Sequence, residues 1–271
     1  MLTRPIVLPV VSPITRAVTA MSRGGWSPLR LFAASEVGAW YDPSDLSSMN
    51  TKSDGSGTVP GVGDPVGRIL DKSGNGKHAT QATDAARPLL QQDAGGRYYL
   101  DFDGTDDFLV TGSVDFTGTD KMTVVVGVRK ASDVARAMLL ELGSSLPAGS
   151  FYMQAPSVNA AQNYQLVSYG TVIREALAST HPAGTSYVLT GLSDIGGNSV
   201  AMRANGAQVG LNTADQGTGN YSAAAVYIGM RGGAFIPFGG RIYGLLIRGA
   251  ASTAAEIKAV ERYANGKTGA Y

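Results

Sequence analysis

The stretch Leu100-Asp-Phe-Asp-Gly-Thr-Asp-Asp-Phe-Leu-Val110 holds two short alternating runs around a polar centre. Leu100, Phe102, Phe108 and Val110 are expected to point inward at a spacing of two, and Asp103-Gly-Thr-Asp-Asp107 supplies a tight turn between the runs. The expectation is strand, turn, strand. About twenty-five residues earlier, Asp71-Lys-Ser-Gly-Asn-Gly-Lys-His-Ala-Thr80 reads differently. Its Ser73-Gly-Asn-Gly76 tolerates left-handed backbone and its Asp can hold turn amides, a pattern for an ordered surface loop leading into the sheet.

Strand signals continue outward from this centre. Ahead of it, Leu31-Phe32 and Ala39-Trp40-Tyr41 form an opening strand that Pro43 ends, 50–64 has the composition of a flexible loop, and 65–70 is a short strand. Behind it, Met122-Thr-Val-Val-Val-Gly-Val-Arg129 is a β-branched run fit for a buried strand, followed by strand segments at 137–142, 150–154, 164–169, 172–177, 186–192, 199–203, 225–229 and 240–248. Asn205-Gly206 marks a two-residue hairpin, because that turn needs positive φ at both positions. One helix closes the chain: Thr253-x-x-Glu256 is a capping box, Ile257, Val260 and Ala264 recur at helical spacing, and Gly266 stands where the helix would end.

Composition fits one large all-β domain. In 271 residues there are 36 Gly, 12 Pro and 16% charged side chains, as many short strands with tight turns require. A net charge of +1, with no basic cluster among aromatics, points away from nucleic acid. Without cysteine there is neither a disulfide framework nor a thiolate metal site. No run of eighteen apolar residues occurs, so membrane insertion is not expected.

The order WYDPSDL at 40–46, LDKSGNGKHAT at 70–80, LDFDGTDDFLV at 100–110, VAMRANGAQV at 200–209 and the closing GRIYGLLIRGAASTAAEIKAVERYANGKTG at 240–269 resembles the laminin-G-like, concanavalin A-like jelly rolls of bacteriophage virion proteins. The resemblance covers Trp40 to the C-terminus. It implies an all-β jelly-roll sandwich over 32–271 with one C-terminal helix, and a virion protein that is a tail-associated adhesin recognising a host-surface glycan. The alternatives are a capsid-decorating or head-spike protein packing against its neighbours, and a secreted bacterial lectin or glycanase. A homo-oligomer, of the trimeric kind common in projecting phage proteins, is implied as well.

Residues 1–31 are unlike the rest. Pro5, Pro9 and Pro13 break the apolar part of what imitates a secretory signal, and prolines at that spacing favour an extended arm. The resemblance implies that such an arm attaches the protein to other phage structural proteins, through Pro5, Ile6, Val7, Leu8 and Trp26.

Catalysis finds no motif. A glycanase of this fold would carry Glu-x-Asp-x-Glu on one strand, so that two carboxylates share a face, and no such permutation occurs. His78 and His181 are isolated and read as hydrogen-bonded structural residues. Asp103, Asp106 and Asp107 offer hard oxygen ligands for calcium, the one candidate cofactor, although Asp side chains in such turns commonly satisfy backbone amides instead. Candidate sugar platforms are Tyr152, Tyr164, Tyr169, Tyr221 and Phe235, whose ring faces can stack on a glycan. The glycine-rich Gly229-Met-Arg-Gly-Gly-Ala-Phe-Ile-Pro-Phe238 loop is the first place to look.

Overall fold

The computed structural model describes residues 25–145 and 147–271. Among them the strands are β1 Gly38–Tyr41, β2 Met49–Asn50, β3 Arg68–Ile69, β4 Ala79–Thr80, β5 Leu89–Gln92, β6 Tyr98–Asp103, β7 Leu109–Asp115, β8 Lys121–Lys130, β9 Met138–Leu142, β10 Phe151–Gln154, β11 Tyr164–Tyr169, β12 Ile173–Ala178, β13 Tyr187–Asp194, β14 Ser199–Ala204, β15 Ala207–Asn212, β16 Ala223–Ile228 and β17 Gly239–Arg248. Helix α1 spans Ala254–Thr268. The strands form two antiparallel sheets. The helix-side sheet runs β15-β14-β13-β8-β17-β6-β5, with β1 also on β17, and the loop-side sheet runs β12-β11-β10-β9-β16-β7-β4-β3-β2. The fold is a jelly-roll sandwich.

Burial follows from the sequence of the central strands. In β8, Val124, Val126 and Val128 face the core between the sheets, while Val125 faces outward under α1 with Trp40, Val188, Leu246 and Val260. Both faces are covered, so an apolar run without alternation is stable there. Trp40 therefore anchors this outer cluster rather than the inter-sheet core, with Tyr263 of α1 edge-on at 5.9 Å.

The central stretch forms a strand, a turn and a strand, but the two strands lie in different sheets: β6 pairs with β17 and β7 with β16. The turn is a corner, and it reverses the expected parity. Leu100 and Phe102 enter the core as expected, whereas on β7 it is Leu109 that enters, 1% exposed, and Phe108 and Val110 are only half-buried. The upstream loop behaves as read: the Asp71 carboxylate accepts from the amides of Trp40, Ser73 and Lys77 at 2.8–2.9 Å. His78 is tied into it, its Nδ1 accepting from the Asp71 amide at 3.0 Å.

Other boundaries differ for local reasons. Leu31-Phe32 belongs to a 3-10 turn over Pro28–Phe32, begun by Ser27 Oγ accepting from the Leu29 amide, so the opening strand is β1 alone. The segment after β2 is organised by Asn50, whose carboxamide bonds Lys52, Gly55 and Gly57, and in 65–70 only Arg68–Ile69 pairs as a strand. Asn205 and Gly206 both take positive φ, as the hairpin requires. The capping box of α1 is present, but the helix passes Gly266 and stops at Gly269, in the left-handed conformation with its amide on Asn265 O.

Candidate functional site

The outer face of the loop-side sheet is set by register. Across it, Glu175, Val167, Tyr152, Glu141, Tyr227, Val110 and Thr80 form one row of direct cross-strand partners. A face turned away from the core is normally solvated. Yet Glu141 is 0% exposed, Val167 0% and Tyr152 6%.

The cover is the loop between β16 and β17. Its ends are tied to β9 by the Gly229 amide on Leu139 O at 2.9 Å and the Met138 amide on Ile236 O at 2.8 Å. Within it, the Phe238 amide donates to Gly229 O at 2.8 Å, and the Arg231 amide to Phe235 O at 2.9 Å. Phe238 plugs into the core, 6.1 Å from Phe102, and Ile236 packs on Met138, Tyr152 and Val167. Gly233, at φ 70°, lies so close to Phe108 that a Cβ there would approach its ring to 2.8 Å. Ile236 sits at φ 45°, a conformation that costs a β-branched residue of the order of 1–3 kcal/mol. Loop and sheet together hold it there.

Arg231 is the polar reason for the cover. Its Nε lies 3.3 Å from both carboxylate oxygens of Glu141, and its guanidinium carbon 5.3 Å from the Tyr152 ring centre. Burial raises the Glu141 carboxyl above its usual range while Arg231 pulls it down, and burial also raises the Tyr152 phenol. The pairing is incomplete: Glu141 Oε1 and Arg231 Nη2 are buried without a hydrogen-bond partner. Beside them the Gln154 carboxamide oxygen accepts from Arg136 Nε and Nη2 at 2.8 Å, and its nitrogen donates to Gln165 Oε1 at 2.9 Å. A buried, incompletely paired polar network thus lies beneath a strained loop.

The candidate residues separate clearly. Phe235 is 67% exposed at the loop tip, and Tyr152 lies directly beneath the loop. Tyr169 is half-buried on the same outer face, two residues along β11 from Val167. Tyr164 and Tyr221 are core residues, 0% and 1% exposed, and present no ring face to a sugar: Tyr164 packs edge-on to Tyr187, and the Tyr221 hydroxyl bonds Ser168 Oγ at 2.8 Å. Pro5, Ile6, Val7 and Leu8 lie outside the described residues. Trp26 is turned onto the domain, edge-on to Tyr263 at 6.2 Å, so the packed body begins before residue 32. His181 Nδ1 sits 2.6 Å from Ser179 O, with its ring against Tyr187.

Asp103, Asp106 and Asp107 do come together, each with a carboxylate oxygen within 4.8 Å of the others, beside the end of the loop where Gly104 meets Gly239. Two of them are already engaged. Asp103 Oδ1 accepts from the Thr105 and Asp106 amides at 2.7 and 3.3 Å, and Asp107 Oδ2 accepts from the Asp103 amide at 2.9 Å. This is a self-capped turn. Burial, opposed by that amide and reinforced by Asp103 and Asp106, pushes the Asp107 carboxyl up to about 6. The remaining oxygens would be the ones to meet a calcium ion.

The sequence reading names none of Glu141, Arg231 and Tyr227 as a site residue. Glu141 had a signal: a lone carboxylate inside the apolar run Met138-Leu-Leu-Glu-Leu142 must face away from the core. Phe108, assigned to the core by parity, instead stands on the outer face with Tyr227, ring centres 6.4 Å apart.

No protein-family model matches the chain, and no curated protein matches it in sequence. Among solved structures, the Trypanosoma rangeli sialidase in complex with the inhibitor DANA is similar at TM-score 0.52 and 12% identity, over 83% of this chain and 32% of that one. The binding domain of botulinum neurotoxin serotype G is similar at TM-score 0.55 and 10% identity, over 72% of this chain and 48% of that one. The Ruminococcus gnavus IT-sialidase CBM40 bound to alpha2,3 sialyllactose aligns at TM-score 0.44 and 16% identity, over 64% of this chain and 98% of that one. The chain spans about a third to a half of the length of the first two. At such identities the likeness is one of fold.

Proposed function

We propose that this chain is a non-catalytic glycan-binding jelly roll whose ligand face is the loop Gly229–Phe238 together with the outer face of the loop-side sheet. One observation carries the reading: Phe235, 67% exposed, projects from a loop that covers a buried Glu141–Arg231 pair with an unfilled acceptor and donor. An exposed ring at a loop tip offers a face for stacking. Two proteins of similar fold are named a sialidase and a toxin binding domain, and fold alone does not carry function. The non-catalytic part is supported by the engagement of Asp103 and Asp107 in turn amides and by the cover over Glu141.

The test is an array of host-surface glycans probed with wild type and Phe235→Ala, which loses no buried contact. Retention of at least one glycan by wild type, weakened roughly tenfold in the variant at unchanged melting temperature, is the expected result. No retained glycan, or one held equally by both, would refute it.

Display on a bacteriophage particle, as a tail-associated adhesin held by residues before Trp26, rests on the sequence resemblance. Immunogold labelling of intact particles tests it: label at the tail supports the adhesin, label over the head supports decoration, and unlabelled particles contradict both. One observation favours the decorating alternative. Along the edge where β12 and β15 meet, Val172, Ile173, Leu177, Val209 and Leu211 are each at least 36% exposed, an apolar strip suited to a neighbouring copy.

A further inference from the structure

The outer face of the helix-side sheet holds a second polar concavity, remote from the loop. Arg241 on β17 and Arg129 on β8 are direct cross-strand partners, and Asp101 on β6 stands opposite Arg241 on its other side. Arg129 and Arg241, with Tyr99 and Tyr243, whose ring centres are 5.2 Å apart, form the floor of an open cleft of about 530 Å³. Its walls are the turn carrying Arg97, Ser186 before β13, and the end of α1 at Thr268 and Gly269.

Two like charges placed directly opposite on antiparallel strands destabilise the pair. Elsewhere in the domain the buried Arg248 is answered by Glu36, and Arg203 by Glu261. Among the described residues neither Arg129 nor Arg241 has a carboxylate within 4.0 Å. Arg241 lies over the Tyr99 ring, 4.5 Å from its centre. Burial raises the Asp101 carboxyl despite the pull of Arg241. Asp93 lies by Arg97 at 3.7 Å, and Arg97 in turn packs against Gly269, where its charge offsets the negative end of the helix. The cleft thus gathers the Arg129 and Arg241 side chains from neighbouring strands, with Asp101 as the cross-strand neighbour of Arg241.

An oxyanion in the cleft would accept from guanidinium N–H groups and offset the repulsion between the two arginines. The cleft is far larger than an ion, within the size range of small-molecule sites, and its rim offers the Ser186 hydroxyl and the Gln92 carboxamide to further polar groups. We propose that this cleft binds a carboxylate-bearing saccharide unit, with Arg129 and Arg241 clamping the carboxylate and the rim meeting the hydroxyls. The site stands independently of the loop Gly229–Phe238.

The test is calorimetric titration of the full chain with glucuronate, glucose and sodium sulfate at low ionic strength. Glucuronate is expected to bind, sulfate to compete with it, and glucose to give no response at this cleft. Arg129→Gln and Arg241→Gln should each weaken glucuronate at least tenfold, while Phe235→Ala leaves it unchanged. Arg129→Gln should also melt no lower than wild type, because it removes a repulsion, whereas a structural arginine would lower the melting temperature when lost. Equal responses to glucose and glucuronate, binding intact in both arginine variants, or sulfate binding without glucuronate binding would overturn the proposal.

Discussion

Two acidic residues near the loop both have their carboxyls raised by burial. Asp107 has its folded-state carboxyl pushed up to about 6 from an ordinary 3.8, so the folded protein holds that proton more tightly than the unfolded chain. Its contribution to stability is best below pH 3.8 and declines as pH rises through 6. Asp107→Asn keeps an acceptor for the Asp103 amide and cannot ionise. The variant is expected to gain on the order of 2 kcal/mol over wild type above pH 6, and little near pH 4, by thermal melts across that range. Should calcium bind the turn, the wild type would instead gain stability on adding millimolar Ca²⁺, and the variant would not. Glu141 depends on its partner. Arg231→Met leaves a carboxylate buried without a counter-charge and is expected to cost about 3 kcal/mol at neutral pH, by denaturant midpoint, and less as the pH falls and the carboxyl protonates. Replacing both, Glu141→Leu with Arg231→Met, should recover most of that loss.

At the scale of elements, what could be read locally was read well. The Asn205-Gly206 hairpin, the capping box at Thr253 and the polar turn at 103–107 each satisfy backbone groups within a few residues, so short sequence windows determine them. Features that depend on distant pairing were not legible. The strands around the turn look like neighbours, and only the partner strands β17 and β16 reveal that the chain changes sheets there, which moves Phe108 from the core to the outer face. The loop between β16 and β17 could be marked by its glycines, but its landing place on β9 could not, because its ties are to Leu139 and Met138. Gly233 is the position on which that landing turns. Gly233→Ala meets both a left-handed φ and the Phe108 ring, and is expected to cost about 1 kcal/mol and to speed amide exchange at Met138, by denaturation and hydrogen exchange.

Across the whole molecule, the sandwich presents three different outer surfaces. One sheet is covered by α1 except at the arginine cleft, the other by the loop, and the β12–β15 edge is left apolar. If that edge joins copies, Leu211→Lys and Ile173→Lys should each reduce the mass measured by light scattering to that of one chain. A wild type that already has the mass of one chain would remove the edge from the account. The jelly roll was legible because its core strands are near-continuous β-branched runs between turn signals; the ligand face was not, because outer-face residues are chosen by chemistry rather than by periodicity. The central claim is that the loop-covered face receives the glycan. The most direct measurement is a residue-resolved NMR titration with the tightest glycan from the array. The account predicts shifts clustered at 229–238, Tyr227 and Phe108. Shifts confined to the helix-side sheet or to the β12–β15 edge would contradict it.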